Sequence, residues 1–219
     1  MNETISKLLK LRGIHFFATR FGSKPLRKLA FEEKFRSGEW NFASDNPREL
    51  MDHVKRHANN GNILIMGCGG ASILRDLAPD SYASVLGIDL SSEAIRLASH
   101  YASPKVAFQQ ADMTEFQCSK PYDLIIFSES INYIPFFQRK RYLQKMCQGL
   151  KPGGSILITI SQAKRYRHIF RMITKNFEVL ADRQFTGSTR RLILFQPRTT
   201  GRSGAQEKPA TSSATQPRV

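Results

Sequence analysis

The residues best suited to chemistry stand where predicted strands end. A glycine-rich turn at 67–70 follows the apolar stretch 62–66, and Asp89 ends the next apolar stretch, 22 positions after Gly67. Glycines let the backbone approach a ligand closely, because no side chain blocks it. A carboxylate about 20 residues after such a turn can accept hydrogen bonds from ribose hydroxyls. The pattern indicates a dinucleotide or adenosyl ligand, unless the glycines form only a tight turn.

Two further polar groups follow the next two predicted strands. Asp112 and Met113 come after the stretch 106–109, and residues 128–133 (SESINY) come after the stretch 122–127. An acid at the end of the third strand can accept a hydrogen bond from an adenine amino group. The carboxyl ends of neighbouring parallel strands meet at one edge of a sheet, where open α/β sheets bind their ligands. All these loops are therefore predicted to form one crevice.

The elements that position these residues are predicted from hydrophobic patterning. Strands alternate with helices, which predicts parallel βαβ units. The last two strands are joined by a short turn containing Gly187, which indicates a hairpin. The fold class is therefore α/β, a doubly wound and mostly parallel seven-stranded sheet ending in an antiparallel hairpin. The predicted strands are 62–66, 84–89, 106–109, 122–127, 155–160, 177–185 and 190–195.

Helices are predicted between these strands. Asn46 is expected to cap a helix with Pro47 in its first turn, and a further helix is expected directly after the glycine turn, through Ile73, Leu74 and Leu77. The other predicted helices are 92–101, one through Tyr142, Leu143, Met146 and Leu150, and a basic one at 164–175.

The ordered series GCGGAS, GIDLS, ADM, YDLIIFSES and LKPGG, closed by a hairpin, resembles the class I S-adenosylmethionine-dependent methyltransferases over residues 46–196. The resemblance implies S-adenosylmethionine as the cofactor and implies no metal. The glycine turn would line its methionine part, Asp89 would hold the ribose, and Asp112 with Met113 would face the adenine. The cofactor-binding residues predicted in this way are Gly67, Cys68, Gly69, Gly70, Asp89, Leu90, Asp112, Met113, Ser128 and Trp40.

The loop after the fourth strand is predicted to face the methyl acceptor. Methyl transfer from a sulfonium depends mainly on positioning, and a base matters only when the acceptor arrives protonated. Glu129 could orient an ammonium or accept its proton, and Tyr133 or Asn132 could bind polar groups of the acceptor. Alternatively, Glu129 is simply a hydrogen-bonded loop carboxylate.

A finer resemblance is to the nodulation-factor N-methyltransferases, which act on a sugar amine. It rests on the serine–glutamate start of the strand-four loop and on Trp40-Asn41-Phe42. Trp40 is then either a lid over the cofactor or a packing residue. Two positions depart from the class I pattern. Ile65 replaces the acid that usually stands two places before the first glycine, and Ala71 replaces the last glycine.

Charge is unevenly distributed along the chain. The net charge is +15, and residues 139–198 contain fourteen basic and two acidic residues. Such a positive region favours an anionic partner, which could be nucleic acid or an anionic surface, or it is merely a solvated face. The sequence thus predicts a methyltransferase for an amine or hydroxyl of a small, anionic or sugar-containing molecule. The alternatives are a nucleic-acid methyltransferase, a non-catalytic binding protein of the same fold and a dinucleotide oxidoreductase.

The domain organisation follows from composition. The sequence predicts a basic N-terminal lead or lid at 1–45, with one amphipathic turn or two near Ile5 and Leu8, a methyltransferase domain at 46–197 and a disordered tail at 198–219. No stretch is apolar for long enough to span a bilayer, and no secretory signal is recognised. The three cysteines are widely spaced, which is typical of reduced thiols. A cytoplasmic location is therefore predicted, whereas the oligomeric state cannot be read.

Overall fold

A single seven-stranded sheet forms the centre of the molecule. The computed structural model describes residues 12–40 and 46–198, and the strand order is β3-β2-β1-β4-β5-β7-β6. Strands β1 to β5 run parallel to one another, whereas β7 is antiparallel to both β5 and β6. The predicted fold class is therefore confirmed. The strands are β1 (Asn62–Met66), β2 (Ser84–Asp89), β3 (Val106–Gln110), β4 (Tyr122–Ser128), β5 (Leu150–Ile160), β6 (Glu178–Gln184) and β7 (Arg191–Gln196).

Six α-helices accompany the sheet in the described part of the chain, where none is long and apolar enough to cross a membrane. Single 3-10 turns lie at Ser72–Asp76, Ser99–Tyr101, Ile131–Tyr133 and Phe136–Gln138. The helices are α1 (Arg12–Phe21), α2 (Lys24–Arg36), α3 (Arg48–Ala58), α4 (Ser92–Ala98), α5 (Arg139–Gln148) and α6 (Arg167–Asn176).

The core occupies both faces of the sheet. Along β4, Leu124 and Ile126 pack into one hydrophobic cluster, whereas Ile125 and Phe127 pack into the other. All four side chains are fully buried. Consecutive residues of a strand point to opposite faces, so a strand with apolar residues at every position has to be covered on both sides. The two clusters therefore fix the central strands in place, and these strands in turn position the loops at their carboxyl ends.

Three local predictions were wrong. The chain after the glycine turn forms only the 3-10 turn Ser72–Asp76, and Leu77 is already extended. Pro79 contributes to this early end, because a proline disfavours helical backbone at the residue before it, here Ala78. Pro47, not Asn46, precedes α3, and the Asn46 amide donates instead to the Ser72 carbonyl at 3.1 Å. Leu150 begins β5 and is not part of α5, which ends before Gly149.

The N-terminal lead contributes α1 and α2, which together are termed the N-terminal cap. Its residues pack mainly on each other and on α4, and α1 and α2 share a small cluster around Ala18 and Ala30. The predicted amphipathic turns around Ile5 and Leu8 and the predicted disordered tail lie outside the described residues.

Candidate active site

The glycine turn after β1 is shaped for close approach. Gly67 and Gly69 have φ angles of +68° and +53°, a region that residues with a Cβ rarely adopt. A Cβ on Gly67 would lie 2.6 Å from the Ser130 Cβ and 3.0 Å from the Met113 Cε. Only glycine fits between these two neighbours. The loops after β1, β3 and β4 therefore meet at this point, as predicted from the order of the strands.

Asp89 lies at the tip of β2 beside the glycine turn. Its two carboxylate oxygens accept hydrogen bonds from the backbone N–H groups of Gly69 and Ser91, each at 2.9 Å. Burial raises the pKa of Asp89 to about 6, although the Ser91 and Gly69 hydrogen bonds oppose that rise. A carboxylate oxygen can accept more than one hydrogen bond, so acceptor capacity remains for a ligand hydroxyl. Asp89 thus supports the glycine turn and lies next to it, where the predicted ribose contact would be made.

Cys68 is half-buried within the glycine turn, and its thiol is protonated at neutral pH. Burial, together with the charge of Asp89, raises the pKa of its thiol well above the usual value. Its backbone N–H donates to the Ile88 carbonyl at 2.9 Å, which ties the turn to β2. The neighbouring carbonyl of Leu90 accepts from the Gln110 side chain at 3.0 Å. These bonds link the tips of β1, β2 and β3. Cys68, like Cys118 and Cys147, is a free thiol.

Asp112, predicted to face the adenine, is buried and already has partners. One carboxylate oxygen accepts from Arg27 Nη2 at 2.5 Å, and the other accepts from the Thr114 backbone N–H at 3.0 Å. The Thr114 hydroxyl adds a further bond at 2.7 Å. A cavity of about 420 Å³ opens beside this carboxylate and is lined in part by the Lys24–Glu115 ion pair. An adenine amino group would therefore share Asp112 with Arg27 or displace it.

The N-terminal cap closes over the glycine turn and the start of α4. Glu32 of α2 is 6% exposed and accepts four hydrogen bonds, from the Ser92 and Glu93 N–H groups at 2.7 and 3.1 Å and from the Ser91 and Ser92 hydroxyls at 3.0 and 2.8 Å. A carboxylate is favoured at a helix N-terminus, where N–H groups lack partners. Phe35 lies 3.5 Å from the place where a Cβ on Gly69 would stand. Glu32 and Phe35 thus hold α2 against the crevice.

Trp40 belongs to an aromatic cluster that joins the cap to the strand-four loop. Its ring centroid lies 5.4 Å from that of Phe35, 5.6 Å from that of Phe31 and 5.9 Å from that of Tyr133. Phe31 also meets Tyr133 edge to face at 5.0 Å. Trp40 is half-buried by these contacts and therefore packs between the cap and the predicted acceptor loop.

Glu129 and Ser128 are held by β5 and the chain just after it. Both carboxylate oxygens of Glu129 accept from the Ser161 N–H, at 2.7 and 2.9 Å, and the Ser161 hydroxyl adds a bond of 2.9 Å. Arg190 Nε lies 3.2 Å from the same carboxylate. Thr159 donates to the Ser128 hydroxyl at 3.3 Å. This geometry favours the interpretation of Glu129 as a hydrogen-bonded loop carboxylate over that of a free base.

Tyr133 is a predicted acceptor-side residue that contacts the cap through the ring of Phe31. Burial raises the pKa of its phenol, so the group stays protonated at neutral pH. It is therefore suited to hydrogen bonding and not to proton abstraction. Ser130 of the same loop donates to the Met66 carbonyl at 2.5 Å, which fixes the loop against the glycine turn.

Comparison with known proteins classifies this crevice. Residues 63–154, which contain the glycine turn, Asp89, Asp112 and Glu129, match the family described as a methyltransferase domain. Residues 63–154, termed the methyltransferase domain, carry this similarity over less than half of the chain. The resemblance predicted from the sequence is therefore confirmed, and the matched residues include all the predicted site residues except Trp40.

Sequence relatives of the methyltransferase domain carry one recurring name. A ubiquinone biosynthesis O-methyltransferase of Rickettsia akari is 31% identical over 121 residues, which is 53% of this chain and 47% of that protein. The human mitochondrial protein of the same name is 31% identical over 105 residues, or 44% of this chain and 28% of its own length. The chain thus spans about half the length of these curated relatives, or less.

Solved structures share the fold of the methyltransferase domain. The N-methyltransferase NodS of Bradyrhizobium japonicum, in complex with S-adenosyl-L-homocysteine, superposes with a TM-score of 0.64 at 21% identity, covering 78% of this chain and 97% of that one. A TehB-like methyltransferase of Corynebacterium glutamicum gives a TM-score of 0.59 at 19% identity, covering 80% and 100%. At these identities the comparison establishes the fold.

The two departures from the class I pattern have structural explanations in the methyltransferase domain. Ile65, in the place of the usual acid, is buried in the hydrophobic cluster beside β2. Ala71 adopts a left-handed conformation with φ of +55°, which costs a residue with a Cβ on the order of 1–2 kcal/mol. Its methyl group is buried, so packing offsets part of that strain.

Sequence reasoning missed the contribution of α2 to the crevice. Arg27, Glu32 and Phe35 contact Asp112, the start of α4 and Gly69, yet none belongs to a recognised motif. One signal was available, because Glu32 and Glu33 are two of only four acids among residues 1–40, where nine residues are basic. An acidic pair in a basic segment indicates a specific partner.

Proposed function

We propose that this chain is an S-adenosylmethionine-dependent methyltransferase that acts on a hydroxyl group of a small molecule. The observation that carries the proposal is the meeting of three strand-tip loops around Gly67, with the Asp89 carboxylate beside them. An adenosyl ligand needs both features, namely close backbone approach and an acceptor for its ribose hydroxyls.

The residues present fit such a cofactor. A side chain at Gly67 would collide with Ser130, so the site depends on glycine there. Asp89 would accept from the ribose, Asp112 would accept from the adenine amino group, and Met113 would pack on the base. When bound, the cofactor supplies a methyl group already activated on a sulfonium. Leu90, Ser128 and Trp40 remain predicted contacts of the same ligand.

The residues of this chain would mainly position the acceptor and exclude water. The aromatic cluster of Phe31, Trp40 and Tyr133 would cover the predicted acceptor side of the crevice. The Tyr133 phenol, which is protonated at neutral pH and whose pKa burial raises further, can donate a hydrogen bond to a polar group of the acceptor. Proximity and alignment are the main sources of acceleration when the leaving group is good.

The choice of a hydroxyl acceptor is supported by the printed names of the relatives, which are O-methyltransferases. The amine acceptor predicted from residues 128–133 remains the second candidate, and its support is the N-methyltransferase among the similar folds. A nucleic-acid acceptor is the alternative suggested by the basic region 139–198.

Two measurements test the proposal. Calorimetry with S-adenosylhomocysteine should show binding to the full chain and weaker binding to the Asp89→Ala variant. Incubation of a cell extract with methyl-labelled cofactor should then place label in the small-molecule fraction and not in RNA. Failure of the protein to bind S-adenosylhomocysteine would contradict the enzyme class, whereas label in RNA would replace the proposed acceptor.

A further inference from the structure

Two arginine side chains from distant parts of the chain converge on Asn132 in the loop after β4. Arg139, the first residue of α5, donates from Nη2 to the Asn132 carbonyl at 2.9 Å. Arg20, in the last turn of α1, lies 3.3 Å from the Asn132 amide oxygen when that amide takes the orientation that satisfies both of its atoms. Two positive charges therefore lie at one residue of the predicted acceptor loop.

Arg139 is buried without a counter-charge. It is 6% exposed, and its Nε has no hydrogen-bond partner. Within residues 12–40 and 46–198, neither Arg139 nor Arg20 forms an ion pair, and the carboxylate of this loop, Glu129, pairs with Arg190 instead. Burying an unpaired charge costs several kcal/mol. An anion bound beside Arg139 would offset that cost.

The surroundings of the two guanidinium groups orient them and add no negative charge. Arg20 donates to the Tyr166 hydroxyl at 3.0 Å and lies 5.2 Å above the centroid of the Tyr133 ring. Arg139 Nη1 lies 2.8 Å from His168 Nε2. Burial, followed by the charge of Arg20, lowers the pKa of Arg139 to about 10, so the group is still a cation at neutral pH.

We infer that Arg139 and Arg20 form a subsite for an oxyanion, a carboxylate or phosphate, carried by the methyl acceptor. The inference rests on the proposed function and adds the charge class of its substrate. Guanidinium groups bind such oxyanions through two parallel hydrogen bonds, and they do so most strongly where water is excluded. The position is suitable, because Ser130 of the same loop contacts the glycine turn while Tyr133 lies beneath Arg20.

Binding of small probes to the full-length protein tests this subsite. Calorimetric titrations with benzoate, phenyl phosphate and the uncharged benzamide, with and without saturating S-adenosylhomocysteine, compare the charge classes directly. We expect at least one of the two anions to bind at least tenfold more tightly than benzamide. The better of the two anions identifies whether carboxylate or phosphate is the natural group.

Variants then assign the binding to the two arginines. Arg139→Gln and Arg20→Gln should each weaken binding of the better anion at least tenfold, and Arg139→Lys should weaken it less. Arg141→Gln is the matched control, because Arg141 lies on the same helix but is exposed, and it should bind like the wild type. Arg20 is half-buried, so its variant keeps the test valid if Arg139→Gln does not fold.

Several results would overturn the subsite. They are equal binding of benzamide and both anions, no anion binding by a protein that retains S-adenosylhomocysteine, or equal losses in the Arg20 and Arg141 variants. A wild-type protein that does not bind S-adenosylhomocysteine would instead contradict the proposed function. The titrations without that ligand would still measure anion binding by the two arginines.

Discussion

At the scale of single residues, the Asp89 carboxylate has a structural role and a predicted ligand-binding role. It supports the glycine turn through the Gly69 N–H, and it is the predicted partner of a ribose. Removing it leaves that N–H without its acceptor. We expect Asp89→Ala to weaken cofactor binding by about 1–3 kcal/mol, the usual cost of a buried polar group that loses its partner. Calorimetry measures this change, and Asp80→Asn, at an exposed site, is the control.

The same residue predicts a pH dependence. Burial raises the pKa of Asp89 from 3.8 to about 6. Protonated Asp89 therefore stabilises the folded state. This stabilisation is complete below pH 3.8 and is lost as the pH rises through about 6. The ionised form is the better acceptor for ribose hydroxyls, so cofactor affinity should increase as the pH rises through about 6. This increase should be absent in Asp89→Asn, and its persistence there would assign it to another group.

Two roles for Glu129 can be told apart by experiment, namely anchoring its loop and contacting the acceptor. Its carboxylate accepts three contacts from Ser161 and lies beside Arg190. We expect Glu129→Gln to slow turnover more than it weakens cofactor binding, because the loop that carries Tyr133 loses its anchor. Ser161→Ala should also slow turnover, because it removes the hydrogen bond that the Ser161 hydroxyl donates to Glu129. Normal turnover in Ser161→Ala with a slow Glu129→Gln would indicate direct contact with the acceptor.

At the scale of elements, the Glu32 carboxylate makes four of the hydrogen bonds that attach α2 to the methyltransferase domain. Burial alone would raise the pKa of Glu32, but the hydrogen bonds from Ser92, Glu93 and Ser91 outweigh it and the pKa is lowered. The stabilisation that Glu32 provides is thus present above the ordinary value of 4.5 and is lost as the pH falls through the folded-state pKa. The cap is expected to loosen on acidification.

Substitution of Glu32 tests this attachment. Glu32→Gln should lower the free energy of unfolding by about 1–3 kcal/mol, because a charged acceptor at a helix N-terminus is lost. The emission of Trp40, the only tryptophan, should also shift to longer wavelength as its contacts with α2 weaken. Glu178→Gln, at an exposed position, should change neither quantity. An unchanged emission maximum in Glu32→Gln would show that the cap is held by other contacts.

At the scale of the whole molecule, the sheet and the N-terminal cap have separate cores. The two large clusters contain no residue of the cap, whose own cluster comprises Ala18, Ala30 and Leu29. A chain beginning at residue 46 should therefore fold. It should bind S-adenosylhomocysteine at least tenfold more weakly, because Glu32 and Phe35 no longer cover the glycine turn.

Circular dichroism and calorimetry check this truncation. Native-like secondary structure with reduced affinity is the expected combination. An unfolded fragment would show that the cap is needed for folding. A folded fragment that binds S-adenosylhomocysteine as tightly as the full chain would show that the cap does not contribute to cofactor binding. The same experiment tests the predicted domain boundary at residue 46.

Much of the fold could be read from the sequence, because its signals are local. The run of apolar residues along β4 requires burial on both faces, and the glycine turn and Asp89 mark the ends of their strands. Strand ends were thus predicted to within a residue or two, except at β5, which begins at Leu150 where the prediction began at 155. Where a local signal misled, a neighbouring residue contributed, as Pro79 did for the helix expected after the glycine turn.

The arrangement around the crevice depends on contacts between residues far apart in the chain. Arg27 and Asp112 are 85 positions apart, and Glu32 and Ser92 are 60 positions apart. No periodicity or spacing records such pairs, because their geometry exists only after the sheet has brought the strand tips together. The sequence by itself determined the sheet and the site's glycines and acids, whereas the tertiary structure alone decided which cap residues cover them. It also decided that Glu129 is bonded to Ser161 and that Arg139 is buried without a counter-charge.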